Sequence, residues 1–218
     1  MPKNNRSTEN KNEAHQLNFW LGKNGNSYIE RNKFEEWMLK PGAEAFERIL
    51  GSINFQSVLE VGSNIGRNLI YLTHLYGDTL ELYAVEPNKT AFDGLTSEPR
   101  LKTLRRAWNC KASNLPIADA SIDLVFTSGV LIHITPDELQ RATDEIVRVS
   151  KKYVLCIEYF SHKPESVAYR GKTDLLFKRD FGTFYLDTYP ELNCCGYGFL
   201  WQREFLVFDN LTWWLFKK

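Results

Sequence analysis

In the stretch Leu59-Glu60-Val61-Gly62-Ser63-Asn64-Ile65-Gly66, an acid precedes two glycines set four residues apart. Such glycines let a chain turn sharply from strand to helix and bring its backbone close to a ligand. A pyrophosphate-binding turn reads GxGxxG and aims backbone N–H groups at the anion. That spacing is missing here, and Glu60 would repel a pyrophosphate, whereas it suits a ligand that carries an ammonium group. Asn64 stands where a middle glycine could be, and asparagine tolerates the positive φ of such a turn better than other side chains. A second acid, Glu86, ends the apolar run Leu80 to Val85 and precedes Pro87. It would meet a ribose diol at a strand tip, as either NAD or S-adenosylmethionine requires. The turn discriminates between the two, and it favours S-adenosylmethionine.

Transfer of a methyl from a sulfonium needs an aligned acceptor and, for a hydroxyl, a base. His133, after the fourth expected strand, can take an acceptor proton, pack under the cofactor, or cap the helix that opens near Pro136. Glu158 ends an otherwise apolar strand; it can act as the base, orient an acceptor hydroxyl, or bond backbone. Tyr159 beside it can line the pocket. Further on, Tyr169-Arg170-Gly171 and Lys178-Arg179-Asp180 set cations among aromatics. They can grip a phosphate, nucleotide or carboxylate, or form a solvated run neutralised by Asp174 and Asp180.

The elements that must position these groups follow from periodicity. Strands are expected at Val58 to Val61, Leu80 to Val85, Leu101 to Arg105, Ile122 to Thr127 and Tyr153 to Glu158, with helices at Asn64 to Tyr76, Asn88 to Thr96 and Pro136 to Val149. This alternation implies a doubly wound α/β fold, a mostly parallel seven-stranded sheet of Rossmann-like kind. Leu192 to Glu204 and Leu211 to Lys217 should close it as an antiparallel hairpin. The chain divides into a disordered polar tail (1–12), an N-terminal helical cap (13–54), a cofactor-binding core (55–160), a substrate-side insertion (161–190) and the hairpin (191–218), all one domain after the tail.

Composition narrows the classes. Lys plus Arg and Asp plus Glu are 27 each, so no global field favours nucleic acid or an anionic membrane. No apolar run is long enough to span a bilayer and no signal-peptide core appears, which reads as cytoplasmic. The cysteines have no CxxC pairing and no His at zinc spacing, so no metal is expected. Nothing in the sequence sets the oligomeric state.

The ordered series VLEVGSNIGRNL, YAVEPN and LPIADASIDLVFTSGVLIHI resembles class I S-adenosylmethionine-dependent methyltransferases over roughly residues 55–160. The resemblance implies that Glu60, Gly62, Asn64 and Gly66 surround the methionine moiety, Glu86 the ribose, and Lys111 and Ala112 the adenine edge, with Ser128 also in the cofactor set. A narrower likeness, through GNSYIERN, TSGVLIHI, Glu158 to Phe160 and YRGKTDLLFKRDF, is to methyltransferases associated with pseudaminic acid biosynthesis in bacterial surface-sugar gene clusters. It implies that Tyr28, Arg31 and Asn32 close over the cofactor, with Tyr28 or Arg31 reaching its carboxylate. The expected reaction is methylation of oxygen or nitrogen on a small-molecule acceptor, an anionic or nucleotide-linked sugar, with S-adenosylhomocysteine released; Tyr159, Tyr169, Arg170, Lys178 and Arg179 are the substrate-binding candidates. The alternatives are a non-catalytic cofactor-binding protein and an NAD-dependent oxidoreductase or epimerase, which lacks its GxGxxG and a YxxxK pair.

Overall fold

The computed structural model describes residues 16–173 and 175–218; the expected tail 1–12 and Asp174 lie outside them. A helical stretch at 16–21 leads into α1 (Lys23–Arg31) and α2 (Leu39–Leu50). The sheet begins with β1 (Ser57–Val61), crosses by α3 (Arg67–Tyr76) to β2 (Glu81–Val85), and by α4 (Lys89–Thr96) to β3 (Leu104–Trp108). The chain returns beside β1 as β4 (Ile122–Ser128), crosses by α5 (Pro136–Val149), and enters β5 (Ser150–Glu158). The short strands β6 (Glu165–Ser166) and β7 (Phe177–Lys178) pair with each other before α6 (Phe181–Thr188). Last come β8 (Asn193–Leu200) and β9 (Leu211–Lys217).

The seven strands lie in the order β3-β2-β1-β4-β5-β9-β8. β1 to β5 are mutually parallel, and β9 runs antiparallel between β5 and β8. This is the doubly wound, mostly parallel sheet with a reversed final strand that the alternation implies. Strand order reverses between β1 and β4, so the crevice for a ligand opens beyond their carboxyl ends.

Side-chain alternation separates two cores. Val58, Leu124, Phe126 and Leu155 face α2 and α3, while Leu59, Val125, Val154 and Cys156 face α5 and α6. Helix α5 carries Pro in its first turn with Asp137 and Glu138, and Arg148 in its last, which suits the helix dipole at both ends. Helix α2 lies close on α3 because Gly42 leaves room: a Cβ there would stand 2.5 Å from the Tyr71 ring.

Several expected boundaries moved: β3 runs on to Trp108 past Arg105, β5 begins at Ser150 ahead of Tyr153, and β8 stops at Leu200, short of Glu204. Strand β3 starts at Leu104, not Leu101: Leu101 is buried among core residues but sits in a turn, bonding back to Glu98. Its apolar character mimicked a strand start. Helix α3 starts at Arg67, not Asn64, because the intervening residues form the turn, with Asn64 at φ +48° and Gly66 at +81°.

Candidate active site

The turn after β1 is tied to the tip of β2. Gly62 and Ser63 donate their N–H groups to the Val85 carbonyl at 2.8 and 3.0 Å. The Glu86 carboxylate accepts from the Asn64 N–H through one oxygen and the Asn88 N–H through the other, both at 2.8 Å. Glu86 therefore fixes the loop while lining the crevice, and its burial raises its pKa despite those two donors. Gly62 holds φ +83° against Val130 of the turn after β4, where a Cβ would come within 2.5 Å of Val130 Cγ2. Gly66 lies behind the wall: a Cβ there would meet Leu95 and Leu101.

Glu60 is 1% exposed. Asn68 Nδ2 donates to its Oε1 at 2.7 Å, while its Oε2 has no partner. Burial pushes its pKa up to about 8, the Asn68 bond pulling the other way. The side-chain oxygens of Asn64 and Asn68 are buried without partners too, and all three residues line the crevice.

The crevice, about 360 Å³, is of a size that takes small molecules and cofactors. Besides Glu60, Gly62, Asn64 and Glu86, it brings together Tyr28, Asn32, Lys111, Ala112, Ser128, His133, Tyr159 and Tyr169 from the expected set. His133 Nδ1 lies 2.8 Å from the Leu175 carbonyl, which can only accept; Nδ1 therefore carries the proton and Nε2 the lone pair. Burial lowers its pKa to about 4, so the ring is neutral at pH 7. Its ring centroid lies 4.5 Å from that of Trp20 and 5.5 Å from that of Tyr169.

The remaining candidates lie outside the walls. The Glu158 carboxylate, fully buried, accepts the N–H groups of Val130, Leu131 and Ile132 at 3.1, 3.0 and 3.4 Å, holding the helical turn Leu131–His133. Of the three roles open to it, bonding backbone is the one its geometry has. Burial pushes its pKa to about 7 against those donors. Arg31 is exposed, with its guanidinium 6.0 Å from the Tyr28 ring centroid. Arg170 stacks on Tyr169, Lys178 on Tyr159 and Arg179 on Phe184, so these cations rest against aromatic rings instead of lining the crevice. Asp180 accepts the Thr183 N–H as the N-cap of α6.

Sequence reasoning missed several wall residues, Asn68, Trp20, Arg67 and Asp209 among them. Arg67 could have been suspected as the residue directly after the glycine turn. Asp209, which accepts the Tyr159 hydroxyl at 2.5 Å, comes from the loop between β8 and β9 and had no local signal.

Residues 58–153 match the family described as a methyltransferase domain. No curated protein matches the chain. Among solved structures it is similar to the 1,6-didemethyltoxoflavin-N1-methyltransferase of Burkholderia thailandensis, solved with 1,6-didemethyltoxoflavin and S-adenosylhomocysteine bound. The TM-score is 0.69 at 14% identity, covering 100% of this chain and 92% of that one. It is also similar to the magnesium protoporphyrin IX methyltransferase of Synechocystis PCC 6803, solved with S-adenosylmethionine bound, at TM-score 0.65 and 9% identity over 95% and 97% of the two chains. A third likeness is to an S-adenosylmethionine-dependent methyltransferase from Aquifex aeolicus, at 0.62 and 15% over 88% and 97%. At such identities these likenesses speak for the fold. The chain thus carries a methyltransferase domain at residues 58–153 on the Rossmann-like fold that S-adenosylmethionine-dependent methyltransferases share. No described helix is long and apolar enough to cross a membrane.

Proposed function

We propose that this methyltransferase acts on an oxygen or nitrogen of a small polar acceptor, a sugar or nucleotide-linked sugar of bacterial surface polysaccharide biosynthesis. One observation carries the cofactor's placement. Glu60 Oε2, Asn64 Oδ1 and Asn68 Oδ1 are buried acceptors without donors, and an ammonium has three N–H donors and nothing to accept with. The residues present therefore fit the amino acid end of S-adenosylmethionine. Arg67 and Tyr28, which line the same crevice, would take its carboxylate, Glu86 the ribose hydroxyls, and Lys111 to Ser113 the adenine edge.

Bound there, the sulfonium supplies an activated methyl group. The chain's own residues do the remainder. The glycine turn, locked by Glu86, fixes the donor end. His133, neutral and with Nε2 bare, accepts a hydrogen bond from the acceptor's hydroxyl or amine and orients its lone pair. A base so weak contributes alignment more than proton removal, which suits an in-line displacement. Trp20, Tyr159 and Tyr169 also line the crevice; at the acceptor end they would give aromatic surface against which a sugar ring can stack. Arg170, Lys178 and Arg179, outside the walls, would meet a nucleotide's phosphates only if these extend past the mouth. The sugar assignment is supported by the narrower sequence likeness and by this aromatic wall.

Calorimetry with S-adenosylhomocysteine, followed by methyl transfer to a panel of sugars, amino sugars and nucleotide sugars, tests the reading. Tight cofactor-product binding and transfer to at least one sugar are expected. Failure to bind S-adenosylhomocysteine sinks the cofactor placement; transfer only to non-sugar acceptors sinks the acceptor class.

A further inference from the structure

The two edges of the sheet are built differently. Strand β3, at one edge, exposes Arg105 and Arg106; Arg105 Nε lies 3.2 Å from Glu81, and Arg106 stacks on Trp108. Charged side chains are a usual device that keeps an open edge from pairing with another chain. Strand β8, at the other edge, runs Asn-Cys-Cys-Gly-Tyr-Gly-Phe-Leu, eight residues without a charge or a proline. Among the described residues no strand pairs with its outer side.

Beside that open backbone lies an aromatic stripe. Tyr197 is 75% exposed, Phe199 53% and Trp201 52%, and Leu206 in the following loop is 62% exposed. Tyr197 stands opposite Trp214 and Phe199 opposite Thr212, so both share the sheet face that α6 covers. They extend that face past the last helix. Scattered apolar residues on a surface need no explanation, but a stripe continuous with an unprotected edge marks an interaction surface.

We propose that β8 is a self-association edge: two copies pair their β8 strands antiparallel about a two-fold axis, continuing one sheet through both molecules. Such an interface is isologous, and antiparallel pairing about that axis sets Tyr197 and Phe199 of both copies on one face as cross-strand neighbours. The four apolar side chains expose on the order of 500 Å² per copy, a large part of the roughly 800 Å² per partner of a standard interface. The strand backbone and its small residues supply more. A net charge of zero sets no repulsion between copies. The chain's own N-terminal segment is a poorer occupant, since residues 1–15 are polar, with Met1, Pro2 and Ala14 as their apolar members. The pairing also bears on the crevice, because β8 leads directly into the loop that supplies Val207, Phe208 and Asp209 to its wall.

Sedimentation velocity of the full chain over about 1 to 100 μM tests this. The expected species is a dimer, twice the 25.4 kDa chain mass. Tyr197→Lys and Phe199→Lys should each give a folded monomer with unchanged circular dichroism and a melting temperature that no longer depends on protein concentration, since both side chains are exposed. Trp37→Lys, at a comparably exposed aromatic whose neighbour Glu36 pairs with Arg100 just before β3, the opposite edge strand, should stay dimeric. A monomeric parent at the highest concentration, or a Tyr197→Lys variant that remains a dimer, would overturn the proposal.

Discussion

The Glu60 carboxyl is buried with one oxygen bonded by Asn68 and the other bare, and burial lifts its pKa to about 8. Because this acid's folded-state pKa is raised, the folded protein retains a proton that the unfolded chain loses near pH 4.5. Ligand-free stability therefore falls as pH rises from about 5 to 8. An ammonium ligand reverses the preference by pairing the ionised form. Glu60→Gln should consequently raise the ligand-free melting temperature at pH 8 by several degrees, on the order of 1–3 kcal/mol, while weakening S-adenosylmethionine at least tenfold. Thermal melts and calorimetry check both halves, and a variant that binds normally would refute the ammonium assignment. The parent should also release a proton on binding between pH 6 and 8, with affinity falling as pH drops. Binding heats that ignore the buffer's ionisation enthalpy would show that Glu60 does not ionise. At Glu86 both oxygens already hold the turn, so Glu86→Ala should cost S-adenosylhomocysteine affinity about 1.5–3 kcal/mol, through loop and ribose together. Unchanged affinity would remove Glu86 from the site.

Among the elements, the turns after β1 and β4 depend on each other. A Cβ at Gly62 would strike Val130 and force a side chain into positive φ, so Gly62→Ala should destabilise by about 2–4 kcal/mol. Val130→Ala should recover the steric part in a double-mutant cycle; strict additivity would mean that the two turns are uncoupled. The turn Leu131–His133 hangs on Glu158 from below, and Glu158→Gln, which keeps one accepting oxygen, should lower kcat more than it alters S-adenosylhomocysteine affinity. An unchanged kcat would make Glu158 purely structural. These dependencies bound what the sequence could reveal. β1, β2 and α5 were legible because apolar period, Gly62, the Glu86-Pro87 stop and the opening of α5 at Pro136 agree. Glu158 was legible as an acid needing a partner, but that its partners are N–H groups of the β4 turn was not, because those lie about 28 residues upstream. Trp20 meets His133, and Tyr159 meets Asp209, through pairings that no local window contains. The cations of the insertion were legible only as charge near aromatics, for a related reason: their ring partners, Tyr169, Tyr159 and Phe184, are set by the fold.

For the molecule as a whole, the crevice joins three parts of the chain. Trp20 and Tyr28 come from the N-terminal helices, the central wall from the sheet turns, and Val207 to Asp209 from the loop between β8 and β9. That loop is pinned to α2 by Arg48, whose guanidinium donates to both oxygens of Glu204 at 3.0 and 2.6 Å and stacks 4.6 Å from the Phe205 ring centroid. The pair is exposed, so water and salt weaken it, and its removal should scarcely change global stability. Its effect should instead be local, since a surface loop opens at a free energy far below that of global unfolding. A ligand that touches all three parts binds only the assembled form and suppresses such openings by mass action. Arg48→Ala should thus leave the melting temperature within a degree or two while speeding amide hydrogen exchange in residues 201–210, with saturating S-adenosylhomocysteine restoring much of the protection. Exchange that accelerates over the whole sheet would mean that the contact stabilises the fold and not the wall; exchange unchanged in 201–210 would mean that Phe205 and Phe208, buried in the core, hold the loop without Arg48.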